Sequence, residues 1–127
     1  MVRRIFESNN SGIEVIEPLE NYYGGVDWDD VEYIGVYVLK YRPEDLEDFL
    51  NGNIGEDDID WDEDVESYIV DNDVELEGAQ NAAIEYANNY AKQYGAPAEI
   101  VLIGYNYDGE AMDFDYHDTI YKVIPKN

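Results

Sequence analysis

The 127-residue chain has no cysteine, which excludes a disulfide framework and thiolate metal sites and leaves no sign of an oxidising compartment. It has one histidine, His117, set between Tyr116 and Asp118 in an expected strand, so a histidine pair for zinc is excluded and no Ser-His-Asp arrangement is marked out. Long apolar runs are also missing. No stretch approaches the ~18 apolar residues of a membrane span, and the start, Met1-Val2-Arg3-Arg4-Ile5-Phe6-Glu7, reaches an acid before an apolar run develops. The expected location is the cytoplasm, that of a host cell if the gene is carried by a phage or plasmid. Positive charge is scarce as well: seven Lys and Arg in all, with none between Arg42 and Lys92.

Against those seven stand 31 Asp and Glu, for a formal net charge of -24. That is roughly three times the upper end of what solubility requires of a small domain. Such self-repulsion destabilises a compact state and calls for an offsetting reason in function, salt environment or neutralising ions. Hydrophobic residues make up 45%, including 13 Tyr, 3 Phe and 2 Trp, enough to bury a core, so residues 1–127 are expected to fold as a single acidic domain.

The pattern predicts an α+β fold, a mainly antiparallel sheet with about three helices packed on one face. An N-terminal hairpin is expected from residues 3–7 and 13–17 around Asn9-Asn10-Ser11-Gly12. The nearly continuous apolar run within 32–41 reads as a central strand buried on both faces. Pro43 opens a helix carrying Leu46, Phe49 and Leu50. From Asp57, the spacing of Trp61, Val65, Tyr68 and Ile69 predicts a short acidic helix. A longer helix follows over 74–94, with Leu76, Ala79, Ala83, Ala87, Tyr90 and Tyr94 as its buried stripe and Gly95 as its stop. Residues 99–107 and 112–124, joined at Asp108-Gly109, form a terminal hairpin that carries His117 on its surface. The Asp-Trp-Asp segments around Trp28 and Trp61 echo one another and mark two places where a Trp anchors a carboxylate cluster.

Sixteen carboxylates fall in the thirty-four residues from Glu44 to Glu77. A helix at ~1.5 Å per residue would there carry a charge every ~3 Å, close to the ~3.4 Å per phosphate of a DNA strand. Asp57, Asp58, Asp60, Asp62, Glu63, Asp64, Glu66, Asp71 and Asp73 are the candidate phosphate surrogates, and Tyr22, Tyr23 and Trp28 the candidate aromatic anchors. Dedicated metal sites are not expected. Asp58, Asp60 and Asp62 begin a calcium-loop spacing, but Glu63 stands at its Gly position and Ile69 at its final Glu; the run from Asp71 fails likewise at Leu76 and Ala82. No cofactor motif or isolated acid-base pair appears, so the chain is read as a non-enzyme with no catalytic residues, and phosphate or nucleic acid would be repelled.

Short, cysteine-free, acidic and rich in aromatics, the chain resembles the DNA-mimicking inhibitors of mobile elements, the antirestriction and anti-CRISPR proteins. The segment Glu66-Ser67-Tyr68-Ile69-Val70-Asp71-Asn72-Asp73-Val74-Glu75 is similar to part of the ArdA antirestriction family, with one extra residue. The resemblance implies a partner that is a basic nucleic-acid-binding protein: a defence nuclease, or a restriction or CRISPR complex. Immunity proteins against nuclease toxins are similar in size and acidity and imply the same kind of target. A structural, adaptor or salt-adapted protein is the alternative of another class. A dimer is compatible with the sequence.

Overall fold

The computed structural model describes residues 12–17, 29, 31–71, 73–112 and 117–126. Five antiparallel strands form one sheet: β1 (Ile13–Glu17), β2 (Tyr33–Lys40), β3 (Val65–Val70), β4 (Ala98–Tyr105) and β5 (His117–Pro125), in the order β1-β5-β4-β2-β3. Two α-helices accompany them, α1 (Leu46–Leu50) and α2 (Asp73–Tyr94). The class is α+β, as the sequence pattern predicts. Residues 3–7 of the expected N-terminal hairpin lie outside the described residues; β1, its other half, pairs with β5.

The core follows from strand alternation. In β2, Ile34, Val36 and Val38 point to one face, and there they meet Ala98, Ile100 and Leu102 of β4 beneath α2. The stripe of α2 that seals this face is Leu76, Gln80, Ala83, Ala87 and Ala91, all fully buried. Small alanines let the helix approach the sheet closely. Gln80 is passed over by a purely apolar reading of the stripe, and among the described residues neither of its amide atoms has a hydrogen-bond partner. Tyr94, expected in the stripe, is instead 57% exposed. Gly95, at φ +62°, ends the helix as expected.

The opposite face holds a second core of Leu39, Tyr41, Phe49, Val101, Ile103 and Ile124. Here α1 packs, preceded by a 3-10 turn over Pro43–Asp45. The helices therefore divide between the two faces, which corrects the expectation of helices on one face. Phe49 is the buried residue of α1, while Leu50 is exposed.

The expected acidic helix from Asp57 is also corrected. Residues 56–64 make a 3-10 turn (Glu56–Asp58) and further turns, and Val65–Val70 is a strand paired with β2. Two β-branched valines, Ile69 and Tyr68 suit a pleated edge position, and β2 offers a ladder that a helix here would leave unused. With that helix goes the rod of evenly spaced charge. At the other end, β4 and β5 form the expected C-terminal hairpin: Asn106 Oδ1 accepts the Asp108 and Glu110 amides, and Gly109 adopts φ +78°. Among the described residues no helix is long and apolar enough to cross a membrane.

Candidate partner-binding surface

Glu44 to Asp64 contains eleven carboxylates in twenty-one residues, and none of them is buried. Asp57, Asp58, Asp60, Asp62 and Glu63 are exposed on one loop, and Asp64 is half-buried at its end. The loop is ordered by its own acids. Asp58 Oδ2 accepts the Gly55 amide at 2.9 Å, and Asp60 Oδ1 accepts the Asp62 amide at 3.0 Å. The backbone closes with Asp64 N–H donating to the Asp60 carbonyl at 2.7 Å, and the Lys40 N–H reaches the Asp64 carbonyl at 2.9 Å. Two of the expected phosphate surrogates thus also build the turn that displays the others.

A Trp fastens this loop to the sheet. The Trp61 ring meets Tyr37 edge-on at 5.2 Å between centroids, and its indole N–H donates to the Glu56 carbonyl at 3.0 Å. Tyr37 is itself held from the other side, its hydroxyl 3.0 Å from that of Tyr105, whose ring stacks on Tyr33 at 4.6 Å. Burial, with the hydrogen bond to Tyr105, raises the Tyr37 pKa well above the usual tyrosine value. Gly35 makes the arrangement possible. A Cβ there would stand 2.4 Å from the Tyr37 ring, so the ring leans back along its own strand over a position without a side chain.

The remaining surrogates are spread rather than clustered. Glu66 lies on β3 opposite Val38, on the α2 side of the sheet, and is half-buried. Asp71 is exposed just beyond the far end of β3, about 20 Å from Asp64 at ~3.3 Å per residue. Asp73 is the first residue of α2. Tyr22, Tyr23 and Trp28, the expected anchors, lie outside the described residues. Tyr33, Tyr37 and Tyr105, which sequence reasoning missed, form the aromatic floor. Their signal was the alternation Tyr33-Gly35-Tyr37-Leu39 on one face of β2.

The second face also holds the buried acid Glu99, 5% exposed. Its two oxygens accept from Tyr41, at 2.7 Å, and from Thr119, and the strand register sets it opposite Lys122. Burial and the Glu99 carboxylate push the Tyr41 pKa up. Both carboxylate oxygens are engaged and the residue is closed off, so this is a structural group.

Set against family models, curated proteins and solved structures, the chain matches none of them.

Proposed function

We propose that the protein is a polyanionic inhibitor, one that occupies the nucleic-acid-binding surface of a basic protein such as a defence nuclease or a restriction or CRISPR complex. The observation that carries this reading is the loop over 56–64: seven carboxylates in nine residues, five of which are exposed, on a turn pinned to the sheet through Trp61. A pre-ordered cluster loses less freedom on binding than a flexible acidic tail, so more of the electrostatic attraction appears as affinity. Asp71, exposed beyond the far end of β3, adds a separate carboxylate at a distance from this loop. No catalytic group and no cofactor is part of this reading.

The test is capture of partners on tagged protein at ~50 mM salt, where screening is weak, followed by a salt gradient and a challenge with duplex DNA. The expected partner is a nucleic-acid-binding protein that DNA displaces. Neutralising Asp57, Asp58, Asp60, Asp62 and Glu63 together, as Asn or Gln, should flatten the salt dependence; unchanged affinity and salt slope in that variant would refute the proposal. A chain that unfolds in low salt and has no salt-sensitive partner would point instead to a salt-adapted structural protein.

A further inference from the structure

On the same sheet face, beyond the reach of the acidic loop, lies an open groove of about 470 Å³, lined among the described residues by Glu32, Tyr33, Ile69 and Asp71. The strand register explains its composition. Tyr33 stands opposite Tyr105 on β4, and the Ile34–Val70 and Gly35–Ile69 pairs carry Asp71 to the place opposite Tyr33 on the other side. Ile69 is 54% exposed, an unusual degree for an isoleucine in a strand. Its neighbour across the ladder is Gly35, which has no side chain to cover it. The groove thus has an aromatic wall held by stacking, an aliphatic wall and a carboxylate at each of two rim positions.

We infer that this groove receives an arginine side chain of the basic partner. This rests on the proposed function in taking that partner to be basic, and it names what is read beyond bulk charge. A planar guanidinium lies against a tyrosine ring while its forked N–H groups reach carboxylates, and its hydrocarbon stem covers an apolar neighbour; a compact, strongly hydrated ammonium does these less well. Charge complementarity chooses the occupant. Glu32 and Asp71 exclude an anionic ligand, and the tyrosine and isoleucine walls favour a cation with a flat or apolar body over a hydrated metal ion.

The test uses the full chain and three small probes: capped arginine amide, capped lysine amide and capped citrulline amide, each titrated while the Tyr33 ring and Ile69 methyl signals are followed by NMR. Saturable shifts at these two residues are expected with arginine, and binding about tenfold weaker with citrulline, which keeps the shape but not the charge. Ile69→Lys, at an exposed site, should abolish the arginine response, and Glu32→Gln should weaken it. Equal responses to all three probes, or shifts confined to residues 56–64, would overturn the inference. The charge-neutralised loop variant separates the two readings: it should lose partner capture yet keep arginine binding at the groove within about twofold, the groove lying a strand's length away. Failure of the arginine probe on the unaltered chain sinks the groove alone, whereas arginine binding that persists while no basic partner is captured sinks the polyanion reading and, with it, the assignment of the groove's occupant to such a partner.

Discussion

Replacing Trp61 with Ala should release the acidic loop while leaving the sheet folded. Trp61 is 39% exposed, so about three-fifths of a side chain able to bury 150–250 Å² is covered, worth ~2–4 kcal/mol at ~25 cal/mol per Å². The edge contact with Tyr37 and the hydrogen bond to Glu56 add to this. The loss falls on opening of the loop, because Trp61 bridges residues 56–64 to β2 and is not part of either buried core. In hydrogen exchange, the amides of Asp58, Glu63 and Asp64, each donating within the loop, should then exchange roughly 30- to 1000-fold faster, up to the limit set by the loop's own opening. Amides of the β2–β4 ladder should keep their rates. Partner binding should weaken too, since a loosened loop must be ordered again on association. Loop amides exchanging at the original rate, or sheet amides accelerating by the same factor, would refute the idea of a local pin.

Two further outcomes concern stability. Tyr41→Phe removes the donor to Glu99 Oε1 and should cost about 1.5–3 kcal/mol in urea denaturation, the range for a hydrogen bond to a charged group; a change below ~0.5 kcal/mol would mean that the Glu99 carboxylate is satisfied without it. Burial raises the pKa values of Tyr37, Tyr41, Tyr68, Tyr90 and Tyr121 above the ordinary 10.0, so above pH 10 the unfolded chain binds fewer protons than the folded one. Stability is then complete below pH 10 and falls as pH rises through the raised values, by up to ~1.4 kcal/mol per pH unit for each buried tyrosine such as Tyr41 or Tyr121 and by less for the half-exposed ones; equal urea midpoints at about pH 9 and about pH 11 would contradict this.

The parts of the fold legible in the sequence are those set by local period. Leu76, Ala83 and Ala87 repeat at helical spacing and mark α2, while Gly95 and Asp108-Gly109 mark the chain reversals. Tyr94 is in phase with Leu76, five helical turns away, but it is the last residue of α2, and period alone does not tell where the helix runs past the sheet it covers; the polar Gln80 hides a member of the buried stripe. The segment 61–70 was misread for a related reason. Trp61, Val65 and Tyr68 are spaced as on a helix, but Trp61 belongs to a turn and Val65 and Tyr68 point to opposite faces of β3. What decides between the readings is the free edge of β2, a non-local fact. The tyrosine floor is hidden in the same way: Tyr105 is 68 residues from Tyr37, and strand register alone brings them together.

The placement of the acids reconciles their number with a stable fold. Two like charges ~4 Å apart repel by ~1 kcal/mol in water and ~4 kcal/mol at an effective dielectric near 20, so a carboxylate crowd is tolerable only where solvent and ions reach it. Among the described residues Glu99 is the buried acid, and two hydroxyl donors compensate it; the eleven from Glu44 to Asp64 all keep contact with solvent. Their repulsion is then borne by a loop whose backbone is tied down at Trp61, Lys40 and the Asp60 turn rather than by the cores. A cationic partner seated on that loop removes repulsion that the free protein retains, so association and loop order reinforce one another. Added salt screens both the repulsion and the attraction. It should therefore stabilise the free loop in the same range in which it weakens the complex, a reciprocal signature that a merely solvated acidic face, with no partner to lose, would show on one side alone.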